Sequence, residues 1–94
     1  MAAMDLFGRR WLLRLMWELR DGPLGARAIL GRCDGLSSSV LYQRLTELAE
    51  SGLIAKDERG HYVLTELGAG LAEALRPLDV WAKEWAAGHP SNAE

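Results

Sequence analysis

The sequence predicts a mainly α-helical domain that carries one small β-hairpin. Three observations lead to this fold class. Apolar residues recur at helical spacing in several segments, breakers such as Gly, Pro and Ser separate those segments, and two short strand-like runs flank a polar turn. With 94 residues, the chain has room for one domain, expected over residues 1–87 and followed by a flexible tail over residues 88–94.

The first helix is expected from about Arg10 to Arg20, after a short lead-in that ends at Gly8. The breakers Asp21-Gly22-Pro23 stop it. Its inward-facing stripe is predicted to consist of five apolar side chains: Trp11, Leu12, Leu15, Met16 and Leu19.

Two shorter elements complete the helical part of the first half. A second helix is expected from Gly25 to Cys33, with Ala28 and Ile29 as its apolar contacts, and the glycine of Asp34-Gly35 ends it by adopting a left-handed turn. A third helix is expected from about Ser38 to Ser51, with Ser37 as its N-cap. Leucines at spacings of four and three give this helix one buried face: Leu41, Leu45 and Leu48.

A hairpin and a long last helix follow. Leu53 to Asp57 and His61 to Leu64 are the two strand-like runs, and Glu58-Arg59-Gly60 is the tight turn between them. Thr65 is expected to cap the last helix, and Pro77 to kink or restart it. Apolar residues recur along this helix at near-helical spacing: Leu67, Leu71, Leu75, Leu78, Trp81 and Trp85.

Two helices joined by a short glycine-containing turn, with a hairpin directly after the second, form a winged helix-turn-helix. An α-helix fits the major groove of B-DNA, and the hairpin beside it reaches the backbone or the minor groove. The sequence therefore predicts a protein that binds double-stranded DNA through its third helix. The net charge is −2, but residues 1–46 carry +3 and residues 47–94 carry −5, so the first half is expected to face the DNA.

The outward face of this recognition helix supplies the residues expected to contact bases. Opposite the leucines, or flanking that face, are polar uncharged side chains: Ser39, Tyr42, Gln43 and Thr46. Ser38 joins them or serves only the helix start, Arg44 contacts a phosphate or forms an ion pair with a Glu, and Arg59 and His61 reach DNA from the hairpin. The alternative for all these residues is an ordinary solvated surface, and the same choice applies to Arg9-Arg10.

Several stretches resemble the HxlR family, which is related to the MarR regulators. Asp5 to Leu13 looks like the family's opening D-L-L-G-x-[KR]-W segment, and Gly35 to Leu48 is similar to its G-I-S-x-x-x-L-x-x-R-L-x-E-L element. Gly52-Leu53-Ile54 and the Y-x-L-T-x-x-G stretch from Tyr62 to Gly68 also match, and Trp81 falls where the family has a Trp. This resemblance implies a homodimeric regulator, commonly a repressor, that binds a pseudo-palindromic operator.

The resemblance also implies dimerisation through the N-terminal and C-terminal helices. The interface is expected at apolar residues near both ends of the chain: Leu6, Trp11, Leu78, Trp81 and Trp85. Trp81 and Trp85, one turn apart, have an alternative role in binding a small, flat, apolar effector. Family members often have a redox-responsive Cys before the first motif, a position without Cys here, and Cys33 is expected to be buried.

Other classes of function find little support in the sequence. One cysteine cannot form an internal disulfide, no signal peptide or membrane-spanning stretch is evident, and a cytoplasmic location is expected. No phosphate-binding loop, metal-ligand spacing or nucleophile-base pair is present, so no enzyme activity, metal or cofactor is predicted. The alternative function is a dimerisation or protein-interaction module that has lost DNA binding, which the acidic balance favours.

Overall fold

The computed structural model describes residues 8–88, which form four α-helices and a two-stranded antiparallel hairpin. This order confirms the predicted winged helix-turn-helix. Leu6 and residues 89–94 of the expected tail lie outside the described residues, whereas Gly88 belongs to the last helix. In chain order the elements are α1 Leu12–Glu18, a 3-10 turn Leu19–Asp21, α2 Ala26–Arg32, α3 Ser38–Glu50, β1 Ile54–Lys56, β2 Tyr62–Leu64 and α4 Glu66–Gly88.

One apolar core lies between the first three helices and the hairpin. Each of these elements contributes at least one buried side chain, and the turns Cys33–Leu36 and 51–53 add three more. Burial of these side chains supplies the main stabilisation of a domain this small. The core consists of Leu12, Leu15, Met16, Leu19, Ile29, Cys33, Leu36, Leu41, Leu45, Leu48, Leu53, Ile54 and Tyr62.

The first helix begins two residues later than predicted. Trp11 has a φ of 76°, which lies in the left-handed region and cannot belong to a right-handed helix, so α1 starts at Leu12. Trp11 is half-buried against the core and stands outside the fully buried stripe. At the other end, the 3-10 turn carries the chain to Asp21, close to the predicted stop.

The second helix packs through residues other than those predicted, because Ala26 and Leu30 lie partly buried against the core on either side of Ile29. Ile29 is fully buried, but Ala28 is exposed, which corrects the prediction that both contact the core. A helix of seven residues presents only one narrow face, and a neighbouring residue points about 100° away from it. Just before α2, the backbone N–H and C=O of Leu24 pair with those of Tyr62 at 3.1 and 2.8 Å. Leu24 therefore adds one residue to the open edge of the hairpin.

The long helix α4 faces the core with small residues. Gly68 and Ala72 are its buried positions, whereas Leu67, the first residue of the predicted apolar line, is 66% exposed. The predicted cap is confirmed, because Thr65 Oγ1 accepts the backbone N–H of Gly68 at 3.1 Å. Pro77 does not restart the helix, which continues to Gly88. Because proline has no backbone N–H, the carbonyl four residues earlier loses its helical donor. That carbonyl lies on an exposed part of the helix, within reach of water.

Candidate nucleic-acid interface

The recognition helix α3 is fixed by a turn at its start and by leucines along its inner face. Gly35, with φ of 85°, makes the turn from α2, and Ser37 Oγ accepts the backbone N–H of Val40 at 3.2 Å. This confirms the predicted N-cap and the start at Ser38. The three leucines at positions 41, 45 and 48 are all buried, so the opposite face of the helix is set to point outward.

The polar side chains proposed to read bases lie on that outward face. All five are exposed: Ser38, Ser39, Tyr42, Gln43 and Thr46. The Gln43 amide makes no hydrogen bond to another described residue, so both its donor and its acceptor are available to a base edge. Thr46 Oγ1 already donates to the carbonyl of Tyr42 at 2.9 Å, and its lone pairs remain as acceptors.

Arg44 occupies a different environment. Its side chain is only 13% exposed, and it pairs with Glu47 at 2.7 Å while its Nε donates to the carbonyl of Arg10 at 2.9 Å. Arg9 Nε approaches the other oxygen of the same carboxylate at 2.9 Å. Of the two roles open from the sequence, the structure therefore supports the ion pair. Arg44 holds α3 against the segment before α1, and a phosphate contact has no geometric support.

The hairpin, residues 54–64, forms the wing beside α3. Its turn is stabilised by Asp57, whose carboxylate accepts the backbone N–H groups of Arg59 and His61 at 2.9 Å each. Both bonds lower the pKa of the Asp57 carboxyl, and the bond from His61 has the larger effect. The Arg59 side chain is exposed at the tip, but the His61 ring packs against Gly25, where a methyl group would come within 3.3 Å of its Cδ2.

A cleft of about 350 Å³ separates the recognition helix from the wing. On one side, Tyr42, Thr46 and Ala49 form one stripe of α3, because spacings of four and three bring side chains to the same face. On the other side is Lys56, which was not predicted from the sequence. The Lys56 ammonium lies 5.4 Å from the centre of the Tyr62 ring. The other residues that line the cleft are Leu45, Ile54, Ala55 and Tyr62.

Strand alternation gives the signal that could have identified Lys56. Ile54 points into the core, so Lys56, two residues further on, lies on the same side of the strand. Its cross-strand neighbour is Tyr62, which the register places opposite. A lysine that follows a buried strand residue by two positions, directly after a recognition helix, is therefore expected beside that helix.

The ion pairs sort the eleven basic residues into two groups. Seven of them have an acidic partner: Arg9, Arg14, Arg20, Arg32, Arg44, Arg76 and Lys83. Four have no ion pair to an acidic residue within residues 8–88: Arg10, Arg27, Lys56 and Arg59. Lys56 and Arg59 lie on the wing, Arg27 lies on α2 and Arg10 precedes α1, so none of these four charges lies on the recognition helix itself.

The residues expected at a dimer interface fall into three groups. Leu6 lies outside the described residues, and Trp11 packs partly against the core. The side chains of Leu78, Trp81 and Trp85 are exposed on α4, with the two Trp rings stacked at a centroid distance of 6.3 Å. Exposed apolar groups of this size are therefore concentrated on the last helix.

The part of the chain that the structure describes shows neither a metal-binding cluster nor a membrane-spanning helix. Residues 8–88 contain no group of three or more His, Cys, Asp or Glu side chains placed to hold a metal ion. None of the helices in that range combines the length and apolar character needed to cross a membrane. Cys33 is buried, and burial raises the pKa of its thiol.

Comparison with known proteins gives consistent matches. Residues 6–90 match the family model described as HxlR-like helix-turn-helix. The chain is 33% identical over 89 residues to the uncharacterized HTH-type transcriptional regulator YvaP of Bacillus subtilis, covering 88% of this chain and 82% of YvaP. It is also 27% identical over 90 residues to the B. subtilis HTH-type transcriptional regulator YodB, covering 89% of this chain and 80% of YodB.

Two solved structures extend the comparison to the fold. The quinone-bound structure of YodB has a TM-score of 0.79 and 29% identity, covering 88% of this chain and 92% of that chain. A protein from Thermoplasma volcanium, described as a possible HxlR family transcriptional factor, has a TM-score of 0.81 and 25% identity, covering 89% of this chain and 81% of the other. The similarity therefore includes the helices, the turn and the wing together.

Proposed function

The chain belongs to the HxlR-like helix-turn-helix family of DNA-binding transcriptional regulators, and we propose that it binds a pseudo-palindromic operator as a homodimer and represses transcription. The observation that carries this proposal is the outward face of α3, which is exposed, polar and set beside the wing. Repression follows if the operator overlaps a promoter, because a bound dimer occludes the site from polymerase. Regulation of this kind takes place in the cytoplasm, where a prokaryotic chromosome lies.

Charge on α3 indicates which end of the helix enters the major groove. Ser39 and Gln43 lie in its first half, while the exposed carboxylate of Glu50, which has no ion pair within residues 8–88, lies at its end. Carboxylates oppose the negative potential of DNA, so the first half is the part that approaches the bases. Gln43 is the residue best suited to specify a base, because its amide can bond adenine in a bidentate manner.

Dimerisation is supported by the apolar pattern of α4. Leu67, Leu71, Ala74, Leu78, Trp81 and Trp85 follow one another at spacings of four, three, four, three and four, which is the seam of a coiled coil. Leu67, Leu78 and Trp81 are each more than half exposed. Two such helices packed against each other would cover these side chains. To read two half-sites on one face of the duplex, the recognition helices of such a dimer must lie about 34–36 Å apart, one turn of DNA.

The DNA proposal is tested by sequencing fragments that crosslink to the protein, followed by gel-shift titration of the enriched fragment. We expect an inverted repeat, and an affinity that falls as salt rises. Gln43→Ala should weaken binding to the repeat more than binding to a scrambled duplex, by about 1–3 kcal/mol for a lost bidentate base contact. Absence of binding even at low salt would overturn the proposal and favour a module without DNA binding.

The dimer proposal is tested by sedimentation equilibrium. We expect a dimer for the native chain and a marked weakening of it in the Trp81→Ala/Trp85→Ala double variant. Val80→Ala is the matched control, because Val80 is an exposed apolar residue of the same helix and lies outside the seam. A native chain that stays monomeric at micromolar concentration would overturn this part of the proposal. It would also remove the reason to expect a palindrome.

For an effector, a flat apolar compound is the class that the comparison favours, since a structure of YodB holds a quinone. As the alternative to their place in the dimer seam, the stacked Trp81 and Trp85 rings offer such a compound an aromatic surface. A naphthoquinone should then raise the midpoint of thermal unfolding of the native chain and leave that of the double variant unchanged. An equal shift in both proteins would show that the compound binds elsewhere.

A further inference from the structure

We propose that the cleft between α3 and β1 holds the DNA sugar-phosphate backbone, with the Lys56 ammonium and the Tyr42 hydroxyl as its phosphate ligands. This inference rests on the proposed binding of duplex DNA by the recognition helix. It assigns a function to Lys56, a residue outside the helix, and changes the role expected for Tyr42 from a base contact to a backbone contact.

The geometry of B-DNA supplies the first reason. The major and minor grooves are separated by one sugar-phosphate strand, so a protein that places a helix in one groove and a hairpin in the next must straddle that strand. Here the space between helix and hairpin is the cleft of about 350 Å³. A DNA strand that lies in this cleft therefore meets Tyr42 and Thr46 on one side and Lys56 on the other.

The chemistry of the lining supplies the second reason. Lys56 is exposed and forms no ion pair with an acidic residue of the described range, so its charge is available. Tyr42 is 52% exposed, and its hydroxyl can donate to a phosphate oxygen. Thr46 cannot donate there, because its hydroxyl proton is used by the carbonyl of Tyr42. The apolar floor, formed by Leu45, Ile54 and Tyr62, suits the carbon face of a deoxyribose.

The position of Lys56 is held by the hairpin. Lys56 and Tyr62 are direct cross-strand partners, and the ammonium lies 5.4 Å from the ring centre. A cation over an aromatic face is partly oriented before it meets its ligand, which reduces the side-chain entropy lost on binding. Asp57 and Glu58, the acidic residues next in sequence, belong to the wing turn, where Asp57 is occupied by two backbone N–H groups.

The test uses the full chain and a fluorescein-labelled duplex of mixed sequence, titrated by anisotropy at NaCl concentrations from about 50 to 200 mM. Each phosphate contact contributes about 0.9 to the slope of log affinity against log salt, so Lys56→Gln should lower the slope by that amount per chain. At about 0.1 M salt this corresponds to an approximately eightfold loss of affinity per chain. Lys56→Arg should restore the slope.

Two further variants separate this role from a structural one. Lys83→Gln makes the same change of charge on α4, where Lys83 pairs with Asp79 at 3.1 Å, and should leave affinity and slope close to those of the native chain. Tyr42→Phe should weaken binding several-fold without changing the slope, since it removes a neutral donor. Thermal unfolding of each variant shows whether the fold is retained.

The outcomes are distinct. If the native chain binds the duplex but Lys56→Gln behaves like Lys83→Gln, the cleft inference is wrong and the proposed function stands. A loss of affinity without a change of slope, or one that Lys56→Arg does not restore, would also overturn the inference, because it would indicate a packing role over Tyr62. If the native chain fails to bind any duplex at low salt, both the inference and the proposed function are wrong.

Discussion

Replacing Gly68 by Ala should destabilise the domain, although alanine is the better helix former. Gly68 is buried at the start of α4, directly against the backbone that leaves α3. A methyl group added here would lie 3.0 Å from the carbonyl carbon of Leu53 and closer still to its oxygen. That carbonyl also accepts the backbone N–H of Thr65 at 3.1 Å, so it cannot move without loss of a hydrogen bond.

Two effects of opposite sign determine the magnitude. Alanine in a helix interior is favoured over glycine by about 1 kcal/mol. Inserting a methyl group into a filled site costs about 1–3 kcal/mol, and the larger values apply where the obstacle is backbone and no side chain can rotate away. We therefore expect a net loss of about 1–2 kcal/mol from the free energy of unfolding for Gly68→Ala.

Gly70→Ala is the matched control, because it lies on the same helix and a methyl group there meets no atom within 4 Å. It should gain about 0.5–1 kcal/mol, so the two variants should differ by about 1.5–3 kcal/mol. In a domain of this size, that difference separates the thermal midpoints by at least about 6 °C. Circular dichroism melts at one protein concentration measure it. If Gly68→Ala proves as stable as Gly70→Ala, the close approach to Leu53 is wrong.

Three further predictions concern charge and burial. Glu47→Gln should lower the free energy of unfolding by about 1–3 kcal/mol in urea, because Arg44 loses its partner in a mostly enclosed site. Glu50→Gln, an exposed position with no ion pair in the described range, should change it by less than about 0.5 kcal/mol, and equal losses would contradict the role of Glu47. The lowered pKa of Asp57 means that its stabilisation of the wing is present above the ordinary value of 3.8 and is lost as the pH falls through the lowered pKa. Hydrogen-exchange protection of the wing amides should decline over that range and be independent of it in Asp57→Asn. Cys33, whose thiol pKa is raised by burial, should react with iodoacetamide much more slowly in the native chain than in urea, and equal rates would refute its burial.

Local signals in the sequence were sufficient for most of the fold. The Ser37 cap, the glycine turns and the leucine spacing of α3 each act within a few residues, so the register of the recognition helix follows from them. The polar face was correctly identified as exposed for the same reason, since burying one face of a helix determines the direction of the other. The exposed positions of α3 were therefore accessible to reasoning from the sequence, whereas their contacts with DNA stay a prediction.

Contacts between distant residues account for what the sequence did not reveal. Arg44 lies between the two faces of α3, and only its contact with the carbonyl of Arg10, 34 residues away, decides its role. The exposure of Leu67 follows from the close approach of Gly68 to Leu53, which rotates α4 so that small residues face the core. Trp11 interrupts a helical pattern through its left-handed backbone conformation alone, and no residue type in the sequence indicates that conformation.

The single residue pair that joins Leu24 to Tyr62 has a mechanical consequence. The backbone of Tyr62 hydrogen-bonds to Leu24 on one side, and the strand that carries Tyr62 pairs with β1 on the other, so the chain entering α2 and the wing share one sheet. Bending the wing away would break two hydrogen bonds, at about 0.5–1.5 kcal/mol each, and uncover a core aromatic. We therefore expect the helix-turn-helix and the wing to move together. In the proposed dimer, the distance between the points at which one subunit would touch adjacent grooves is then constant, and the adjustable quantity is the rotation of one subunit against the other.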